Sequence, residues 1–179
     1  YTATDIHGNT TTATFNVTVT DNESPVISGM PANITQTNDA GSCSAAVTWT
    51  APTASDNCAV ASLTSTDASG DSFAVGATTV SYTAVDIYGN TTTSTFTVTV
   101  NDTENPTISG TPANITQSND AGICAAAVSW AAPSALDNCG ATLTSSHTSG
   151  STFGVGTTTV IYTATDIHGN TTTATFNVT

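Results

Sequence analysis

Thirteen carboxylates and four cysteines are the side chains of this 179-residue chain with the most chemistry to offer, and no Lys or Arg stands opposite them. The formal charge is −13. Each carboxylate must therefore be solvated, hydrogen-bonded, protonated or bound to a cation. Cys43, Cys58, Cys124 and Cys139 form two pairs with the same internal spacing of about 15 residues. An even count in a β-rich, Thr-rich chain reads as disulfides made in an oxidising compartment. A four-cysteine zinc site is the rival reading, but it asks for close C-x-x-C pairs with supporting His, and that spacing is not present.

The charge excludes several functions. Binding to nucleic acid depends on Lys and Arg neutralising phosphates, and binding to anionic membrane surfaces depends on the same residues. No apolar run approaches the roughly 18 residues of a membrane span. A trypsin-like protease finds nothing to cut after, which suits a protein exposed to a hostile exterior. The three histidines carry little. His7 and His168 sit in the turn "DIHGN", where the middle of the chain has Tyr88, and His147 corresponds to Asp67. No Ser–His–Asp set recurs with them, and nothing marks a substrate cleft around an acid pair.

The elements that must position these groups are set by an internal repeat. Pro25, Cys43, Trp49 and Cys58 recur as Pro106, Cys124, Trp130 and Cys139, and residues 1–18 are identical to residues 162–179. A unit of roughly 80 residues follows. Residues 1–20 form the closing hairpin of one unit, 21–101 a complete unit, and 102–179 a unit lacking its last few residues. Within each unit the pattern has period two. Phe96, Val98 and Val100 alternate with Thr in "TTTSTFTVTV"; Val80, Tyr82 and Ala84 alternate in "TTVSYTAVD"; Ala45, Val47 and Trp49 alternate in "CSAAVTW". Such alternation marks half-buried strands, and Thr, Val and Tyr favour them. Turn chemistry interrupts the runs at "NDAG", "AP", "SG", "VG" and "YGN". The expected fold is all-β: tandem antiparallel sandwiches of six or seven short strands, arranged as an extended array. One Trp and a few other aromatics per unit make a thin core, marginal at this size. A disulfide closing a loop of about 15 residues would add on the order of 3 kcal/mol.

The residue order P…PANIT…DAG-x-C-x-AAV-x-W…P…DNC…F-x-VG-x-TTV-x-YTA-x-D-x-x-GN…F-x-V resembles the hyalin repeat (HYR) domain over the whole chain. The resemblance implies an immunoglobulin-like sandwich from extracellular, adhesive, multi-domain proteins, including very large repeat-bearing surface proteins of bacteria. It implies no enzymatic activity and supplies no catalytic residues. The expected location is extracellular or on the cell surface.

Placed on that frame, the acids become informative. Asp21, Glu23, Asp39, Asp56 and Asp86 recur as Asp102, Glu104, Asp120, Asp137 and Asp166, whereas Asp67 and Asp71 are replaced by His147 and Ser151. The recurring acids lie in turns and linkers beside Asn and Gly. Hard oxygen ligands of this kind suit Ca²⁺, and Asp21, Glu23, Asp56 and Asp86, with Asp102, Glu104, Asp137 and Asp166, are the candidate ligands of an inter-domain clamp. The opposing reading is that they accept backbone N–H groups and hold turns. Strand direction puts the "DIYGN" turn and the entering linker "DNESP" at the same pole. The place of "DNC" depends on the disulfide. If Cys43 pairs with Cys58, Asp56 returns toward Asp39 at the far pole; in the standard sandwich order it joins Asp86. Sequons for N-linked glycan include Asn9, Asn33, Asn90, Asn114 and Asn170.

The expected function is mechanical: a rigid, acidic, disulfide-stapled spacer in an extracellular stalk, adhesin or fibre. Its partners are neighbouring repeats end to end, with covalent glycans and Ca²⁺ as candidate additions. Each unit advances the array by ~40 Å, from strands of about ten residues rising about 3.3 Å each. The alternatives are a carbohydrate-binding adhesin repeat, a filament assembled from separate subunits, and a spacer in a secreted enzyme.

Overall fold

The computed structural model describes residues 1–179, and every regular element in it is a strand. No helix is long and apolar enough to cross a membrane. The first twenty residues contribute one hairpin, β1 (Thr2–Thr4) and β2 (Thr10–Thr12), paired antiparallel. Phe15, Val17 and Val19 beyond it are exposed, although their repeat equivalents Phe96, Val98 and Val100 are core residues.

The complete unit holds β3 (Val26–Ser28), β4 (Ile34–Thr37), β5 (Ser44–Ala46), β6 (Thr53–Ser55), β7 (Val60–Ser65), β8 (Ser72–Ala74), β9 (Gly76–Asp86) and β10 (Thr91–Asn101). One sheet has the order β4-β10-β9-β7, with β4 parallel to β10 and the other neighbours antiparallel. The second layer is made of the two short ladders β3-β6 and β5-β8. Along β9, Val80, Tyr82, Ala84 and Asp86 are buried; along β10, Phe96, Val98 and Val100 are buried. Val80, Tyr82, Phe96, Val98 and Val100 meet Ala45, Val47 and Phe73 from the opposite layer in one core cluster. The Thr residues between them face outward, as period two requires.

The second unit repeats the plan with β11 (Thr107–Ser109), β12 (Ala125–Ala127), β13 (Ser134–Leu136), β14 (Ala141–Ser145), β15 (Thr152–Gly154), β16 (Thr158–Asp166) and β17 (Thr171–Val178). Here the parallel strand shrinks to a single bridge, Ile115 to Val178. Its core cluster runs from Ala126 to Val178 and shares no member with the first.

Both tryptophans sit at the rim of their core. Trp49 meets Phe73 and Phe96 edge-on at centroid distances of 5.9 and 5.2 Å, and its indole N–H donates to Tyr82 Oη at 2.8 Å. Trp130 repeats this with Phe153, Phe176 and Tyr162. The indole dipole is therefore satisfied inside the domain, as a half-buried Trp requires.

The inter-domain junction

Three segments meet between the units: the turn 38–43 ("NDAGSC"), the linker 101–106 ("NDTENP"), and the turn 137–140 ("DNCG"). The first closes back on itself. Asp39 N–H donates to Ser44 O at 2.8 Å, and Asp39 Oδ2 accepts from Ala46 N–H at 2.9 Å. Asn38 Nδ2 donates to Ser42 O at 3.0 Å. Gly41 has φ of +71°, a left-handed conformation that glycine adopts without penalty. That geometry turns its N–H outward, to Glu104 Oε1 at 2.7 Å. Thr103 N–H donates to Asn38 Oδ1 at 3.2 Å, and Asn138 Nδ2 donates to Ser42 O at 2.9 Å. Pro106, fully buried, pins the far end of the linker.

A covalent bond completes the junction. Cys43 is joined to Cys139, with Cα atoms 4.9 Å apart and 96 residues of sequence between the two positions. This corrects the expectation of a disulfide closing each short pair. Cys43 lies on the turn that faces the following unit, and Cys58 lies beside Asp21 and Asp56 at the opposite pole of its own unit. A disulfide spans only about 4.4–6.8 Å between Cα atoms, so Cys43 and Cys58 cannot meet in the folded unit. Cys58 and Cys124 are free thiols within this chain, both exposed.

The "DNC" turn thus takes the place that the standard sandwich order gives it. Ile87 N–H donates to Ala59 O, and Asn90 Nδ2 reaches Asp21 O at 3.4 Å, so "DNC", "DIYGN" and the entering linker share one pole. Carboxylate oxygens of Asp21 and Asp56 lie within 4.8 Å of each other and of Cys58 Sγ; Asp102 and Asp137 repeat this around Cys139. Asp21 Oδ2, Asp102 Oδ2 and Asn138 Oδ1 are buried without a hydrogen-bond partner. His168 lies beside the disulfide, a neighbour that sequence reasoning treated only as a surface turn residue.

Of the other four acids of the candidate clamp, three already accept hydrogen bonds, Asp86 and Asp166 within their own turns and Glu104 across the junction. Asp86 Oδ1 accepts from Tyr88 N–H at 2.8 Å and Asn90 N–H at 2.9 Å, while Oδ2 accepts from Asn90 Nδ2 at 2.7 Å. Burial alone would raise its pKa, but the Asn90 side chain and the Asn90, Tyr88 and Gly89 backbone donors outweigh it and hold the carboxyl below its ordinary value. Asp166 repeats the arrangement and the direction. Asp5 Oδ1 and Oδ2 do the same toward His7 and Asn9 in the first hairpin. Glu104 is taken by Gly41, whereas its equivalent Glu23 is exposed. The Cys58 thiol is held above its ordinary pKa chiefly by the adjacent Asp21 carboxylate, with desolvation and the charges of Asp56 and Asp86 adding to the effect.

Among the sequons, Asn9, Asn90 and Asn170 spend their side-chain amide nitrogen on the turn aspartate four residues earlier. Asn33 and Asn114 use only Oδ1, which accepts from Thr97 and Asn177 N–H at 2.9 Å; both are exposed.

Comparison with known proteins places the repeat in a family. The HYR domain model matches residues 20–100 and again 101–179. The chain is 40% identical to hyalin of Lytechinus variegatus over 185 residues, covering 99% of this chain and 35% of that protein. It is 39% identical to hyalin of Strongylocentrotus purpuratus, covering 99% of this chain and 16% of that protein. It is 36% identical over 170 residues to the sushi, von Willebrand factor type A, EGF and pentraxin domain-containing protein 1 of Rattus norvegicus, of which it spans 4%. The chain thus spans about a third or less of the length of these relatives. Two tandem matches over nearly the whole sequence leave one conclusion: the chain belongs to the HYR domain family.

Proposed function

We propose that this chain is a load-bearing spacer: a pair of HYR units that hold a fixed mutual orientation within an extracellular stalk, adhesin or fibre. The observation that carries the reading is the Cys43–Cys139 bond, together with the three hydrogen bonds that cross the same junction. A linker of a few residues between two separate cores ordinarily leaves domains free to move. Here the linker is clasped from both sides and bypassed by a covalent bond. The extracellular setting follows from membership of the family and from the stable disulfide, which reducing compartments do not maintain. The charge of −13 without a single Lys or Arg keeps neighbouring strands apart and favours extension. The sugar-binding alternative needs an exposed aromatic platform, and Trp49 and Trp130 are half-buried against their cores with their N–H groups in use.

Ca²⁺ belongs to this proposal as a secondary element. The residues that fit it are Asp102 and Asp137, with Asp21 and Asp56 at the equivalent pole: paired carboxylates, one of which in each pair keeps a buried oxygen with no partner. A bound Ca²⁺ supplies charge neutralisation there, and the two aspartates present the hard oxygens it prefers. Chelator should lower the melting temperature of the oxidised chain; an unchanged transition removes the metal from the account and leaves the disulfide clasp standing. Electron microscopy of the natural protein tests the spacer itself. A beaded rod advancing about 40 Å per unit is expected, and a coil with freely varying angles between beads overturns the reading.

A further inference from the structure

Cys58 and Cys124 occupy the same repeat positions as the bonded pair. Cys58 stands where Cys139 stands, and Cys124 where Cys43 stands. Their surroundings match as well. Around Cys124, Asn119 Nδ2 donates to Asp120 O and Ile123 O at 3.3 and 2.9 Å, Asp120 N–H donates to Ala125 O at 2.8 Å, and Asp120 Oδ2 accepts from Ala127 N–H at 3.1 Å. The bonded turn around Cys43 has the same four contacts, from Asn38 and Asp39. Around Cys58, Asp56 Oδ2 accepts the Cys58 N–H at 2.8 Å, just as Asp137 Oδ2 accepts the Cys139 N–H at 2.8 Å. Asp21 and Asp102, beside these two cysteines, each keep a buried unpartnered oxygen and each take Asn Nδ2 at 3.4 Å on their carbonyl. The two half-sites are formed before any partner arrives. What differs is cover: Asn38 is buried and Asn119 exposed, while Cys43 and Cys139 are half-buried and Cys58 and Cys124 exposed.

We propose that Cys58 and Cys124 are the open ends of a disulfide relay: Cys58 bonds the "NDAG-x-C" turn of one adjoining HYR unit, and Cys124 bonds the "DNC" turn of another. The adjoining unit belongs either to a longer form of this chain or to a separate copy of it; the recognising chemistry is the same. Each bond forms by thiol–disulfide exchange with a disulfide oxidant. A cysteine thiolate attacks the oxidant's sulfur, the oxidant's second sulfur leaves, and the partner cysteine resolves the mixed disulfide. The oxidant departs as a dithiol carrying the two electrons, and the two thiol protons pass to it or to solvent.

The relay changes how an array carries load. The loop closed by Cys43–Cys139 overlaps the loop that Cys124 would close, and the overlap is residues 124–139. Every backbone position is then bridged by at least one disulfide, so no single proteolytic nick severs the array. The shortest covalent route through one unit runs from Cys139 back to Cys124 and then across a disulfide. That is about 15 residues at about 3.5 Å each, near 55 Å with the bond included, against about 280 Å for the roughly 80-residue peptide route. A folded unit already spans about 40 Å. An oxidised array is therefore nearly inextensible even where its sandwiches unfold.

This inference rests on the spacer reading for its mechanical meaning, but its test is separate from the microscopy above. The natural protein is isolated in iodoacetamide and digested with thermolysin, because the chain offers trypsin no site, and its linked peptides are identified by mass spectrometry. Peptides joining Cys58 to an "NDAG-x-C" cysteine and Cys124 to a "DNC" cysteine are expected. Denaturing electrophoresis with and without reductant then separates the sources. Collapse of a ladder on reduction means separate copies; unchanged mass means adjoining units of one chain. Recovery of Cys58 and Cys124 as carbamidomethyl thiols overturns the proposal. Pulled single molecules should show steps of under about 20 Å when oxidised and near 240 Å after reduction, from the two contour lengths above. Long steps in oxidised molecules overturn it equally.

Discussion

Replacing Cys139 with Ser removes one sulfur from the second unit, yet it should weaken both. The Cys43–Cys139 bond closes a loop that runs through the end of the first sandwich and the start of the second. When only the second unit unfolds, the loop left to close runs from the end of β10 to Cys139, about 38 residues; when only the first unfolds, it runs from Cys43 to that point, about 58 residues. Chain-entropy bookkeeping gives about 4 kcal/mol in either case, as an upper figure that native strain and residual structure reduce. For domains of this size each kcal/mol moves the midpoint by about 4–8 °C, so both transitions should fall, by up to roughly 16–32 °C at that upper figure. Calorimetry of the oxidised chain and of Cys139→Ser, with tyrosine and tryptophan fluorescence to follow unfolding, reads this directly. A disulfide closing each short pair predicts a different pattern, in which Cys139→Ser lowers the second unit and leaves the first untouched. That result, or no shift at all, would refute the reasoning.

Three further outcomes follow from the geometry. Tyr82→Phe removes the oxygen that accepts the Trp49 indole N–H at 2.8 Å; leaving that donor unpaired should cost about 1–3 kcal/mol, and a denaturation midpoint that does not move would contradict the assignment. Asp86 and Asp166 have depressed carboxyl pKa values, so they add stability that is complete above the unfolded carboxylate value of about 3.9 and is lost as pH falls through the lower folded value. The melting temperature of the wild type minus that of Asp86→Asn should therefore be constant above about pH 5 and shrink below about pH 4; taking the difference cancels the self-repulsion both proteins share, and a pH-independent difference would be wrong for this account. If the natural protein carries N-linked glycan, intact glycopeptides should place it at Asn33 and Asn114, whose Nδ2 atoms are unengaged, and not at Asn90 or Asn170, where attachment breaks the bond to Asp86 or Asp166.

The sandwich was legible in the sequence because period two is a local property. Val80, Tyr82, Phe96 and Val98 announce their face by alternation with Thr, and all four are buried. The common pole of "DIYGN" and the entering linker was legible too, since strand direction alone determines it. The disulfide pairing was not. Equal spacing within each unit drew attention to Cys43 with Cys58, while the partner is the equivalent of Cys58 in the next unit. Nothing local distinguishes the two, because the choice depends on which pole each turn occupies. A signal was present in the repeat itself: a bond between units reproduces the same cysteine spacing as a bond within them. The acids divide for a related reason. Asp86 with Asn90 is a self-contained turn, recognisable from Asp and Asn four apart, whereas Glu104 finds Gly41 only because two units dock.

The central claim is that the two units form one body held by the junction. Residual dipolar couplings measured on the oxidised chain in weakly aligning medium test it most directly. One alignment tensor should fit the amides of 21–101 and 102–179 together, with the relative orientation seen in the structure, and reduction of the Cys43–Cys139 bond should loosen that agreement. Two tensors of different magnitude in the oxidised chain, reporting units that reorient independently, would contradict the account.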